Sequence, residues 1–474
     1  MPTPATAREV NGRAAVVTLT YLGFALQLVQ VGLLPLLPTI GGALHASTAG
    51  TAWILTSGLI SGAVFLAVLT RLADLIGKRP VILLAMALVL AGCVVCALAT
   101  SLAVMIVGRV LIGAQLPMLA LPEAIASDTM SPRRAQTAIF SVHVGTGLGV
   151  AGGLLLGALV GAHPGDWRLF FVISAVAALL ALVTTVAFVR DSDARAAGGL
   201  DLPGALLLTL ALVAFLLGLS QGPAWGWGSG RVAGLLAGGA VLGVLWWLRE
   251  RSADKPLIDV SYLLRRDVGL PYAMTFLIAV GIYGSLSAIT RLAQTPEASG
   301  FGYGWTALGA GWYALPQAIG SVLGIVVLRT ARRRGLVSAA AIGFALIVAG
   351  FAAYAFGHAH AGATLPALAL DSCGLAVTLA ATQLLVVRAV PAHESGIALG
   401  LSVVMYAVGN SVGSAVFGVL FTALTGPSGK PALSAYVAGF AVCGACALLA
   451  LLLCAPLGRL RSAAPATTVE GAPA

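Results

Sequence analysis

Apolar runs of about 20 residues recur along nearly the whole chain, separated by short connections. Each is long enough to cross the roughly 30 Å hydrocarbon core of a bilayer as a helix. That repetition constrains the fold more than any other feature. Of 474 residues, 59% are hydrophobic and only 9% charged, whereas a soluble domain carries about 25% charged residues. So few charges cannot clothe a soluble protein of this size, and no stretch between the runs could form an independent soluble domain. The solvent for most of this surface is lipid.

The runs place helices near 14–40, 51–72, 80–100, 102–126, 138–160, 167–189, 203–221, 231–249, 269–292, 306–329, 337–357, 363–388, 396–425 and 432–456. The division between the third and fourth rests only on Thr100 and Ser101. Numbering the connections alternately, one set holds 21 of the 26 Lys and Arg. The other set and its flanks hold Arg168, Arg231, Arg291 and Lys430, while Arg109 lies within a run. Basic residues mark the cytoplasmic side, so both termini are expected there in a multi-pass protein of the cell membrane. A missed helix would invert the order downstream and scramble this bias.

The formal net charge is +10, but its confinement to short connections is a topology signal and not a nucleic-acid footprint. All six cysteines fall within apolar runs, two pairs at C-x-x-C spacing. There they read as small packing side chains, with no disulfide implied. The run from Ala14 to Ile40 is too long for a signal-peptide core and should stay as the first helix. Many of the 59 glycines stand at small-xxx-small spacing, which lets helices approach closely in lipid.

The connection after the second run reads Arg71-Leu72-Ala73-Asp74-Leu75-Ile76-Gly77-Lys78-Arg79-Pro80. A short basic loop obeying the topology rule would account for it, as would an acid placed to face a neighbouring helix N-terminus. It resembles the loop signature of the major facilitator superfamily, G-x-L-a-D-r-x-G-r-k, with Leu72, Ala73, Asp74, Gly77, Lys78 and Arg79 matching. Thr70 replaces the first Gly and Leu75 the usual basic residue. The resemblance implies that Asp74, Gly77, Lys78 and Arg79 form a conformational latch between two halves. Gly145, Gly147, Gly149, Gly152, Gly153 and Gly157 resemble the antiporter motif of drug exporters, with Gly149, Gly153 and Gly157 on the motif helix and Leu154 where a Pro is usual. Trp167-Arg168-Leu169-Phe170-Phe171 is similar to the family's W-R-x-x-F segment, although an aromatic and a cation also suit interfacial anchoring.

Two further runs follow, carrying Asp201-Leu202-Pro203-Gly204, Trp225-Gly226-Trp227 and Lys255-Pro256-Leu257-Ile258-Asp259. They resemble the inserted helix pair of the fourteen-helix drug:proton antiporter branch. Arg332-Arg333-Arg334-Gly335 falls where the mirror-related loop should be. The implied fold is all-α, with six-helix bundles over 1–195 and 266–458, an inserted pair and linker over 196–265, and a disordered cytoplasmic tail over 459–474. Such a repeat would place a cavity at the midplane between bundles.

Few ionisable residues lie inside the runs. A lone Arg in hydrocarbon costs about 2.5–3.5 kcal/mol on insertion scales, so Arg109 should face protein or water, or snorkel to the outer interface. Its setting, Arg109-Val110-Leu111-Ile112-Gly113, resembles the family's R-x-l-x-G pattern. Desolvation favours the neutral form of a carboxyl group, the requirement for a proton carrier. Asp371 and Glu123 are the acids that fall within runs. Asp371 is expected to face Arg109 across the central cleft, or else to cap the outer surface. Glu123 is read as interfacial or coupling.

Exporters of the branch often carry an acid in the first helix, but Leu28 to Pro38 has none. Gln27, Gln30, Gln115, Gln317 and Tyr406 are therefore the expected hydrogen-bonding contacts of a cavity for neutral or mildly anionic amphiphiles. Each could equally be polar glue between helices.

The resemblance implies proton-coupled export of small amphipathic compounds by a monomer that uses protons and no cofactor or metal. Uptake or uniport on the same fold is the rival reading. A membrane enzyme is disfavoured because no H-E-x-x-H motif and no G-x-S-x-G elbow at a strand-to-helix turn is present, the G-x-S-x-G spacings at 218–222 and 409–413 falling in apolar helical runs, and no cluster of His ligands appears. No P-loop appears, which disfavours ATP-driven transport.

Overall fold

The computed structural model describes residues 4–463 apart from 47, 163–166, 193–201, 253–264, 307, 308, 310, 311, 313, 358, 359, 391–394 and 425–430. Asp166, Arg195, Asp201, Lys255, Asp259, His358 and Lys430, part of the central linker, and the tail from 464 therefore lie outside the described residues.

Long helices occupy the expected runs. They are α1 (Pro4–Val31), α2 (Thr48–Ile76), α3 (Lys78–Ala97), α4 (Leu102–Thr129), α5 (Pro132–Gly161), α6 (Trp167–Phe188) and α7 (Leu202–Trp225). There follow α8 (Gly230–Ser252), α9 (Arg266–Gln294), α10 (Ala314–Ala331), α11 (Leu336–Gly357), α12 (Ala361–Val387), α13 (Ser395–Ala423) and α14 (Leu433–Ala463). Among the described residues, 12 helices are long and apolar enough to cross a membrane. The apolar part of α7 is shorter, Pro203–Leu219, and α9 is not among the twelve.

Two runs expected to be continuous are broken, each at proline. The first ends its α-helix at Val31 and resumes as a 3-10 turn, Leu34–Leu36, and a short helix, Leu37–Ala43, with Pro35 and Pro38 at their starts. Within α4, the backbone is 3-10 over Gly113–Leu119, with Pro117 inside, and returns to α at Leu121–Thr129. Proline removes a backbone donor and clashes with the preceding turn, so the ladder cannot run through. The short division between α3 and α4 is real: the side chain of Ser101 caps α4 by accepting from the Val104 N–H.

Helices α1–α6 and α9–α14 repeat one packing pattern. In the first set α1 packs on α5 and α6, α3 on α4 and α6, and α2 on α4. In the second, α9 packs on α13 and α14, α11 on α12 and α14, and α10 on α12. Helices α7 and α8 pack on each other, with α7 also against α2 and α13.

The glycines of α5 explain the closeness of its contact with α1. A Cβ at Gly145, Gly149, Gly153 or Gly157 would lie 2.1, 2.3, 2.8 or 2.0 Å from the carbonyl oxygen of Thr20, Phe24, Leu28 or Gly32. Both series advance four residues at a time, so one backbone lies in a groove of the other turn after turn. The second half repeats this at Gly409 and Gly413 of α13, which lie over the carbonyls of Phe276 and Val280 of α9. The antiporter-like run of glycines is thus a packing surface.

Apolar side chains on the outside follow helical spacing. Leu169, Val172, Val176, Leu179, Leu180 and Val183 of α6 are all exposed, the surface expected where lipid is the solvent. One end of the molecule gathers Arg71, Lys78, Arg133, Arg332 and Arg388 and is called the basic face below. Contacts between the halves include Thr70 with Gly400 and Gln136 with Arg332 at that face, and Gly147 with Ser321 deeper in. Beside them, Ala63, Leu66, Ala120 and Ala124 of the first half share one apolar cluster with Val386, Ala398, Leu399 and Leu401 of the second.

Candidate functional site

Where α2 turns into α3, Gly77 has φ +119° and ψ 148°, a conformation that side chains make costly. This turn brings Lys78 back over the end of α2. Its Nζ lies 3.4 Å from Asp74 and 2.5 Å from Asp128 at the end of α4, with all three side chains buried. Ser192, beyond α6, donates to Asp128 at 2.7 Å. Arg79 donates its backbone N–H to Asp191 at 3.0 Å and its guanidinium to the Val186 carbonyl at 2.7 Å.

The four expected latch residues therefore come together, but their ionic partners belong to the first half. Asp74 accepts no hydrogen bond among the described residues. The contact with the second half comes one turn earlier, at Thr70. Its hydroxyl donates to the Leu66 carbonyl at 2.6 Å, and its methyl group packs against Gly400 of α13, where a Cβ would lie 3.2 Å away. The small residue missing from α2 is supplied by the opposing helix. Asp128, Asp191 and Ser192 are additions to the motif that its loop alone does not reveal.

Arg109 is fully buried, which excludes snorkelling. Its Nε donates to the Ile54 carbonyl of α2 at 3.0 Å. Gly58, one turn further along α2, makes room for the guanidinium, since a Cβ there would lie 2.8 Å from a terminal nitrogen. Asp371, 6% exposed, lies against Gly350 of α11, with its Oδ1 lacking a hydrogen-bond partner among the described residues. The expectation that these two face each other is corrected. Each points into its own half, because Arg109 lies on the side of α4 turned to α2, and Asp371 on the side of α12 turned to α11.

Gln30 and Gln115 do meet. The side-chain amide of Gln115 donates to the side-chain oxygen of Gln30, joining α1 to the 3-10 segment of α4. Gln27, half-buried, borders Gly149 of α5. Gln317 on α10 and Tyr406 on α13 are also half-buried but belong to the second half, without a described contact to the glutamine pair.

The unexpected partner is His143. Its Nε2 lies 2.9 Å from Glu123 Oε1, with Glu123 fully buried and the His143 side chain 9% exposed. Pro122 restarts the α-helix of α4, which sets Glu123 in its first turn. The Ser127 hydroxyl caps the Glu123 carbonyl from one turn below at 3.0 Å. Ala120 and Ala124, flanking Glu123, pack in the cluster containing Val403 and Val404 of α13. Phe140 and Val144, flanking His143, pack in the cluster containing Leu328 of α10 and Leu384 of α12. The pair thus belongs to one half and stands where that half meets the other. No group of three or more His, Cys, Asp or Glu suited to a metal occurs among the described residues.

Duplicated helix sets, lipid-exposed flanks and buried ionisable groups between helices define a multi-pass membrane transporter. The sequence profile of the Major Facilitator Superfamily matches residues 15–414, and the chain belongs to that superfamily. It is 30% identical over 399 residues to the tetracenomycin C resistance and export protein of Streptomyces glaucescens, covering 82% of this chain and 72% of that one. It is 28% identical over 411 residues to the multidrug resistance protein Stp of Mycobacterium tuberculosis, covering 84% and 73%. The human organic anion transporter MFSD10 (TETRAN) has the same fold, with TM-score 0.66, 20% identity and coverage of 96% and 100%. The proton:xylose symporter XylE is similar at TM-score 0.65 and 14% identity, over 94% and 95% of the two chains.

Proposed function

We propose that the chain exports small amphipathic compounds in exchange for protons, with both termini in the cytoplasm and Glu123 as the proton carrier. The observation that carries this reading is the buried Glu123–His143 pair, 2.9 Å apart at the junction of the two halves. Relatives named for resistance and export support the direction. The concentration of basic residues on one face supports the orientation.

The pair is electrically balanced when it holds one proton as a carboxylate beside an imidazolium. It is also balanced when the proton sits so that both groups are neutral. A second proton leaves a net positive charge in a low-dielectric site, an arrangement that needs water or separation of the surrounding helices. Because Ala124 and Val144, next to the pair, pack on the second half, protonation is coupled to loosening of that packing. Each proton entering along a 100 mV potential contributes about 2.3 kcal/mol. In the described conformation the halves pack together at the basic face, the arrangement suited to releasing cargo on the other side.

Arg109 braces α4 against α2, and the Gln30–Gln115 pair, with Gln27, Gln317 and Tyr406, offers neutral hydrogen-bonding groups to cargo. Asp371, set against Gly350 of α11, lies outside this coupling route. Asp74, Lys78 and Asp128 keep the α2–α3 turn rigid so that Thr70 meets Gly400 in one conformation.

Everted membrane vesicles containing the chain should accumulate tetracenomycin C, or another amphiphile from a panel, when respiration acidifies their interior. Accumulation should collapse when the pH gradient is dissipated. Uptake is the second reading, since a relative from Lactococcus lactis, 28% identical over 302 residues, is named a uridine/deoxyuridine transporter with no direction given. Efflux from the acidified vesicles, with uptake into right-side-out ones, would select it.

A further inference from the structure

A second charged feature lies apart from the coupling pair. At the basic face, Arg133 and Gln136 of α5 confront Arg332, Arg333 and Gly335 beyond α10, Leu336 of α11, and Arg388 after α12. Together they line a cavity of about 440 Å³. One hydrogen bond crosses it, from the Arg332 guanidinium to the Gln136 side-chain oxygen at 3.5 Å. The four arginines are exposed, and none has a carboxylate partner among the described residues. Like charges gathered in one cleft repel, so it suits an anion that none of the described residues supplies.

We infer that the cleft binds the phosphate of an anionic phospholipid headgroup and that the bound lipid clamps the two halves together at the basic face. Three features select phosphate on a lipid. Guanidinium groups offer planar pairs of donors that match phosphate oxygens. The arginines stand at or just beyond helix ends, the level of the headgroups. Helix α10, which leads to Arg332 and Arg333, exposes Ile319, Val322, Leu323 and Val326, a strip against which acyl chains can lie. A free phosphate would make no use of that strip.

The clamp follows from the origin of the lining. Arg133 and Gln136 come from the first half, and Arg332, Arg333 and Arg388 from the second. Parting the halves at this face would divide the set, so the full complement of charges exists only in the closed conformation. A ligand that binds one of two states better shifts the equilibrium toward it. This holds whichever cargo the transporter carries and whether or not protons drive it.

The test uses the full chain in phosphatidylcholine nanodiscs titrated with a fluorescent short-chain phosphatidylglycerol. Saturable binding should appear, and fluorescent phosphatidylcholine of the same chain length should not reproduce it. The variant R133Q/R388Q should lower the affinity about 25-fold, taking roughly fivefold for each basic residue removed near the surface. The variant R168Q, on the opposite face, should leave it unchanged. Inorganic phosphate at equal concentration should not displace the lipid. Spin labels at Ser131→Cys and Thr330→Cys, on opposite halves, should show a larger population of the short distance when phosphatidylglycerol is added. Equal binding by R133Q/R388Q with an unchanged melting profile would overturn the assignment. Displacement by phosphate would transfer the site to a free ion, and a distance distribution indifferent to lipid would remove the clamp.

Discussion

Replacing Gly157 by alanine should destabilise the protein, whereas the same change at Gly152, five residues earlier on the same helix, should not. At Gly157 the new methyl would stand 2.0 Å from the Gly32 carbonyl oxygen. A carbon–oxygen contact needs about 3.3 Å, so α1 and α5 must separate locally by more than about 1 Å. The obstacle is backbone and cannot rotate aside. Overpacking of this kind costs about 1–3 kcal/mol, and lipid supplies no hydrophobic drive to press the helices back together. At Gly152 the nearest atom is the Phe24 ring edge at 3.4 Å, an ordinary contact. There alanine gains up to about 1 kcal/mol of helix propensity. The two variants should therefore differ by about 1–4 kcal/mol, with G157A the less stable. Thermal unfolding in detergent would resolve this as a Tm lowered by several degrees for G157A and unchanged or raised for G152A. Equal losses for both would show that the α1–α5 contact is not the glycine ladder described.

Further substitutions at four positions probe the remaining elements. Lys78→Met leaves Asp74 and Asp128 buried without their shared cation, and should cost about 3–5 kcal/mol in thermal unfolding, largely recovered by Lys78→Arg. Gly77→Ala forces a side chain to φ +119° and should cost about 1–3 kcal/mol by the same assay, as should Gly335→Ala at φ +106°. Asp371→Asn removes a carboxyl that meets neither Arg109 nor the coupling pair, and should retain more than about half of gradient-driven transport in vesicles; complete loss would return Asp371 to the coupling route.

Helix positions were legible because apolar length is a local property, and the strongly biased Lys and Arg identified alternate connections without any tertiary information. The breaks were carried by Pro35, Pro38 and Pro117, which are visible in the sequence but are tolerated often enough in membrane helices that position alone did not decide them. Asp74, Gly77, Lys78 and Arg79 stand together in one loop and were readable there, yet Asp128 and Ser192 complete their network from elsewhere in the chain. His143 looked solitary because its partner stands on another helix, in register only once Pro122 has reset α4. The pairing of Arg109 with Asp371 failed for a rotational reason. Equal depth in the repeat does not fix which side of a helix a residue occupies, and these two face inward on their own halves.

Gradient-driven accumulation by Glu123→Gln, compared with substrate exchange without a gradient, addresses the coupling claim most directly. Glutamine keeps the volume and a polar group beside His143 but cannot carry the proton. The account predicts that exchange across everted vesicles persists while accumulation driven by an acidic interior disappears. Accumulation at the parental level, with the proton gradient intact, would contradict it.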